Sequence, residues 1–132
     1  MAKTIIESPA VVVGKNIDDL FSWLSDAYNF EHIMPDQVVS FKGEENRFKF
    51  GTKGLPEVDL NVIERTAPNR IVLEDSSGKI GFKLFADMKS VDESKSEVKM
   101  YFEGEFNPMM KMMVERPLKK FIEDLTDKLP SI

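Results

Sequence analysis

The stretch that decides the fold is Val98-Lys-Met-Tyr-Phe-Glu-Gly-Glu-Phe106, followed by Asn107-Pro108 and then Met109-Met-Lys-Met-Met-Val-Glu-Arg-Pro-Leu-Lys-Lys-Phe121. Val98, Met100, Phe102, Gly104 and Phe106 share one face, and Lys99, Tyr101, Glu103 and Glu105 share the other, the period of a half-buried antiparallel strand. Asn107 is a good N-cap. Pro108 suits the first helical position, where its missing N–H is no loss and its fixed φ already fits the helix. A strand therefore runs directly into a long amphipathic helix, expected from Pro108 to about Leu129. At 1.5 Å per residue it would be roughly 33 Å long, enough to cross a small domain.

On a helical wheel Met110, Met113, Val114, Pro117, Leu118, Phe121, Leu125 and Leu129 form one broad stripe, with Arg116, Lys119, Lys120, Glu123 and Asp127 away from it. Met112 falls outside the stripe and is expected to be exposed or covered by a neighbour. Pro117 cannot donate to the carbonyl of Met113 and crowds it, so a kink is expected there.

Upstream, Thr4 to Val13 reads as a strand, with Pro9 marking an edge or a bulge. Asn16 caps a helix with Asp18 and Asp19 at its positive dipole end and Ile17, Leu20, Phe21 and Leu24 at helical spacing. Ser25 or Asp26 can cap a second short helix carrying Ala27, Phe30 and Ile33, which Pro35 ends. Turn chemistry at Gly43 to Asn46, Thr52 to Pro56, Ala67 to Arg70, Ser76 to Lys79 and Asp92 to Lys95 then divides the chain from Gln37 to Phe106 into six strands. The reading is α+β: a curved antiparallel sheet of seven strands, two short helices after the first strand, and a long C-terminal helix over the concave face. The 132 residues make one expected domain, 1–132, large enough to bury about two-thirds of its unfolded surface.

Composition narrows the chemistry. The chain has no cysteine, which excludes disulfides, thiolate metal sites and a cysteine nucleophile, and suits a reducing compartment, so cytoplasm is the default location. No signal sequence opens it, and no apolar run approaches the roughly 20 residues that span a bilayer. A net charge of −5, with acids and bases interleaved, argues against nucleic acid as a partner. Lys111, Arg116, Lys119 and Lys120 alternate with Glu115, Glu123 and Asp124, the pattern of a solvated helix face with local ion pairs. There is one histidine, His32, on the short second helix, and neither a histidine pair for a metal, a phosphate-binding glycine loop nor a nucleophile elbow. No metal or cofactor is expected.

Alternation places Phe48 and Phe50, then Val58, Leu60 and Val62, then Ile80, Phe82, Leu84, Ala86 and Met88 on the inner wall, with charges such as Glu64 confined to strand ends. Such a wall serves a plain core equally well. A bent sheet under one long helix can also leave space between them, and methionine adapts to guests of different shape.

The order of elements, with Asn16-Ile-Asp-Asp-Leu-Phe-Ser-Trp-Leu-Ser-Asp26, Ile33-Met34-Pro35 and Glu64-Arg-Thr-Ala-Pro-Asn-Arg-Ile-Val-Leu73, resembles the helix-grip fold of START-like (SRPBCC) proteins. That superfamily includes birch-pollen-type allergens, polyketide cyclases and dehydratases, and relatives of a chaperone-activating domain. The resemblance covers nearly the whole chain, and none of its motifs is catalytic. It implies a cavity for a lipid, sterol, isoprenoid or polyketide.

Three readings follow. The leading one is binding or transport of a small apolar or amphipathic molecule, with Phe50, Leu60, Phe82, Leu84, Met100, Phe102, Met113, Pro117 and Phe121 lining the site. The second is a cyclase, dehydratase or hydrolase on an apolar substrate, with His32 as acid or base. Some cyclases of this fold use an Arg, Tyr or Asp at the cavity mouth; Arg47, Arg65, Tyr101 and Arg116 are the types available here, but alternation puts Tyr101 and Arg65 on the outer face. The third is a protein-interaction module in which Met112 and the helix start contact a protein partner.

Overall fold

The computed structural model describes residues 3–77 and 81–132. Strands β1 (Lys3–Glu7) and β2 (Val11–Val13) precede helix α1 (Ile17–Ser25) and a 3-10 helix (Ala27–Ile33). Then come β3 (Val38–Gly43), β4 (Arg47–Thr52), β5 (Val58–Thr66), β6 (Arg70–Asp75), β7 (Phe82–Asp92) and β8 (Lys95–Glu105). The chain closes with α2 (Pro108–Lys128) and a last 3-10 turn (Leu129–Ser131). All strand pairs are antiparallel in the order β1-β8-β7-β6-β5-β4-β3, with β2 also on β8.

The expected first strand is two strands, making eight in the sheet rather than seven. The break falls at Ser8-Pro9-Ala10, since Pro9 has no N–H to give the ladder. Ser8 is buried at the break, its Oγ 2.7 Å from Thr126 Oγ1 on α2. The second short helix is 3-10 rather than α, opened by Asp26, whose carboxylate accepts from the Tyr28 N–H at 3.1 Å. Asn16 caps α1 as expected, accepting from Asp19 N–H at 2.9 Å.

The strand-to-helix join is as the sequence predicts. Along β8 and its exit, Ser96, Val98, Met100, Phe102, Gly104 and Phe106 are buried. The Asn107 side chain accepts from Met110 N–H at 2.7 Å and starts α2. The helix is continuous through Pro117. Its buried side chains are Val114, Leu118, Phe121, Ile122, Leu125 and Thr126, a sector turned from the one expected. Met113, expected inside, is 62% exposed. Measured from the Leu118–Leu125 line, it lies about 140° around the wheel, outside any sector that faces the sheet. Ile122 and Thr126 extend the buried sector on its other flank.

On the sheet, Phe48, Phe50, Val58, Leu60, Phe82, Leu84, Ala86 and Met88 are buried as alternation predicts, and Val62 is half-buried. Ile80 lies outside the described residues. A register shift between Val62 and Glu64 turns both Ile63 and Glu64 to solvent, which removes the inward carboxylate. Lys128 ties the far end of α2 to the connection before β3, donating to the Met34 carbonyl and to Asp36 Oδ1, each at 2.8 Å.

Truncating Phe121, the aromatic at the centre of the helix–sheet seam, should lower unfolding free energy by about 3–5 kcal/mol in Phe121→Ala. Removing the cap in Asn107→Ala should cost about 1 kcal/mol. Urea denaturation of both variants checks the order of the two effects.

Candidate functional site

The inner wall is a chain of aromatic contacts. Phe30 stacks on Phe48 at 4.7 Å between centroids, and Phe48 reaches Phe50 at 5.9 Å. Phe50 stacks on Phe121 of α2 at 4.6 Å and 10°, Phe121 reaches Phe102 at 6.0 Å, and Phe102 meets the edge of Phe82 at 4.9 Å. Seven of the nine residues expected to line a site, Phe50, Leu60, Phe82, Leu84, Met100, Phe102 and Phe121, are thus brought into one buried cluster. Pro117 is half-buried at its margin and Met113 is outside it.

Pro117 marks the place where that cluster approaches the surface. A depression of about 340 Å³ is lined there by Gln37, Thr52, Lys53, Arg116, Pro117 and Lys120. Thr52 follows Phe50 by two positions on the inner face of β4, and Pro117 precedes Phe121 by one helical turn. Two lining residues are thus near neighbours of the Phe50–Phe121 stack, which is itself buried and outside the lining. Buried Thr52 donates its hydroxyl to the Gln37 carbonyl at 3.1 Å, fixing one wall. Gly54, at φ +89°, turns the β4–β5 loop so closely over Pro117 that an added Cβ would sit 3.5 Å from its ring. Sequence reasoning missed Gln37, Thr52, Lys53 and Gly54. The one signal was the continuation of the Phe48, Phe50 alternation to Thr52.

A larger depression of about 470 Å³ lies where β7 begins and β8 ends, lined by Phe82 and two glycines, with Lys3, Glu74, Asp75, Lys83, Glu103 and Glu105 as a charged rim.

Of the groups considered for chemistry, Arg116 lines the depression at Pro117, and His32, Arg47, Arg65 and Tyr101 are elsewhere. His32 is exposed, its ring 6.2 Å from that of Trp23. Arg65 is on the outside, as alternation predicts, where it donates to the carbonyls of Ser25 at 2.8 Å and Glu45 at 3.3 Å and to Asn46 Oδ1 at 2.8 Å. That makes it a clamp between α1, the β3–β4 turn and β5. Arg47 pairs with Asp59 across the β4–β5 ladder at 3.3 Å. Among the described residues no group of three acids or histidines is arranged to hold a metal.

Tyr101 is also on the outer face, in a bridged cluster. Its hydroxyl donates to Asp87 Oδ2 at 2.8 Å, Arg70 donates to both Asp87 oxygens at 2.8 and 3.2 Å, and Phe85 stacks on the phenol at 4.9 Å beneath the guanidinium. Burial, reinforced by the hydrogen bond to Asp87, pushes the phenol up to about 12. The cluster braces β6, β7 and β8 from behind the site.

Fold comparison places this geometry among solved structures. The KanY protein matches with a TM-score of 0.77 at 9% identity, over 99% of this chain and 97% of that one. Norcoclaurine synthase from Thalictrum flavum matches with a TM-score of 0.74 at 12% identity, over 98% and 86%. The chain has the START-like helix-grip fold. A START superfamily protein from Mycobacterium smegmatis matches with a TM-score of 0.65 at 10% identity, over 98% and 97%. No family model matches the chain, and no curated protein sequence matches it significantly. What is shared is the helix-grip framework; at these identities the side chains of the interior are this chain's own.

The Tyr101 environment has a testable consequence. Its neutral form is favoured in the folded state, so the stability it contributes is complete below about pH 10, the ordinary phenol value, and is lost as pH rises through about 12. In alkaline titration followed by phenolate absorbance, a component near 12 should be present in the native chain and absent in Tyr101→Phe. Retention of that component in the variant would assign it to another group.

Proposed function

We propose that the protein binds a small apolar or amphipathic molecule between the sheet and α2, entering through the depression at Thr52 and Pro117. The observation that carries this reading is the nearness of the buried Phe50–Phe121 stack to a depression that Thr52 and Pro117 line and whose rim holds Lys53, Arg116 and Lys120. An amphipathic guest would place its apolar body against Phe50, Leu60, Phe82, Leu84, Met100, Phe102, Pro117 and Phe121, and its polar end among the rim cations. Entry requires Phe121 and Phe50 to part, which gives up their stack and its burial but breaks no polar bond of either side chain. The fold supports the reading through its neighbours: norcoclaurine synthase has been solved with dopamine and hydroxybenzaldehyde bound. Met113, being outside, has no place in the lining set.

A dansylated fatty acid serves as the probe. Binding to the native chain should raise its fluorescence, and Thr52→Phe, which projects a ring into the opening, should weaken it by roughly ten-fold, with a native circular dichroism spectrum showing that the variant still folds. Equal affinity in the native and variant proteins would place the probe elsewhere.

A further inference from the structure

Two cations meet at the depression without an acid to pair them. Gly54 brings the β4–β5 loop against Pro117, and the residues that precede these two, Lys53 and Arg116, both line the depression. Among the described residues neither side chain has a hydrogen bond or ion pair within the protein, and the side-chain amide of Gln37, half-buried in the same lining, has none either. The other arginines are all engaged: Arg47 with Asp59, Arg70 with Asp87, and Arg65 with the carbonyls of Ser25 and Glu45. Nearby acids are paired with other lysines, Asp124 with Lys120 at 2.9 Å, Glu123 with Lys119 at 3.9 Å and Asp36 with Lys128 at 2.8 Å. Asp127, almost two turns beyond Lys120, and Glu57, at the end of the β4–β5 loop, do not line the depression. With Lys120 set aside as paired, the lining still carries two cations, one amide and no carboxylate.

We infer, on the reading that a guest enters here, that its polar end is an oxyanion and that Arg116 is the residue that selects it. A guanidinium is a planar fork of donors with no acceptor, which matches two oxygens of a carboxylate or a phosphate at once. Lys53 supplies a second charge from the facing loop, and the Gln37 amide donates to the same head. Like charges gathered in one place repel each other, and an anion between them replaces that repulsion with attraction. A neutral head leaves both cations without a counter-charge, and a cationic head adds a third like charge. The apolar body therefore supplies the affinity that any amphiphile would share, while the head decides which class of amphiphile is kept. The carboxylate of a fatty or related acid and the phosphate of an alkyl phosphate share this chemistry.

Fluorescence titration of the full chain at neutral pH, with dansylated alkyl probes of equal length ending in a carboxylate, a phosphate, a methyl ester or an amine, separates head from body. The better of the two anionic probes should bind roughly ten-fold or more tightly than the ester or the amine, and high salt should weaken the anion and leave the ester unchanged. Arg116→Gln, at an exposed position, should abolish most of that preference while the ester binds as before. Lys119→Gln, on the same helix but outside the lining, should bind every probe as the native chain does. Tighter binding of the carboxylate assigns the head to a fatty or related acid, and tighter binding of the phosphate assigns it to a lipid phosphate. Equal affinity for the anionic and ester probes overturns the inference and leaves the interior reading standing. A preference for the anion that survives Arg116→Gln overturns it as well, by placing the head elsewhere, and binding of no probe at all overturns both.

Discussion

The structure depends on one contact, the stack of Phe121 against Phe50 at 4.6 Å. It is the point where the last element of the chain closes on the fourth strand, on the far side of the sheet from the strand that leads into the helix. From Phe50 the aromatic series runs through Phe48 to Phe30 beneath the short helices, and from Phe121 through Phe102 to Phe82 on β8 and β7. Sheet and helix are therefore joined by dispersion and burial along a single seam. The polar ties sit at its margins: Ser8 with Thr126, and Lys128 with Met34 and Asp36. A grip of this kind is firm at its ends and apolar at its centre, the property that a binding interior needs.

The join of β8 to α2 was legible in the sequence because two independent local rules agree there: strict alternation up to Phe106, and Asn107-Pro108 as cap and first helical residue. The strand turns within the described residues were legible for the same reason, each marked by its own turn residues, and the turn expected at Ser76 to Lys79 lies partly outside those residues. The helix-grip resemblance rested on this order of elements and is the fold observed. What failed was the rotation of α2. A wheel counts methionine as apolar wherever it stands, so Met113 was placed inside while Ile122 and Thr126 were left out. Thr126 is polar by type, yet it is buried because its hydroxyl bonds to the Ile122 carbonyl and meets Ser8. That partner is 118 residues away in sequence, beyond the reach of any periodicity.

The opening at Thr52 and Pro117 was illegible for a related reason. It exists only because β4, its following turn and the third turn of α2 converge, and no local pattern encodes that meeting. The outer face, by contrast, follows from alternation alone. Tyr101 and Arg65 were expected there, and both serve as braces: Tyr101 with Asp87 and Arg70 behind β6 to β8, Arg65 across α1 and the β3–β4 turn. The polar chemistry of the described chain is thus concentrated outside the sheet, and the inner wall is left to shape and hydrophobicity.

Native mass spectrometry of freshly purified protein, followed by organic extraction of whatever dissociates, tests the central claim most directly, because an apolar interior retains cellular apolar molecules through purification. A discrete adduct, released by extraction and displaced by excess dansylated fatty acid, is the result predicted. A protein of apo mass alone, with a thermal midpoint unmoved across fatty acids, sterols, isoprenoids and polyketides, would contradict it and leave the aromatic seam as a filled core.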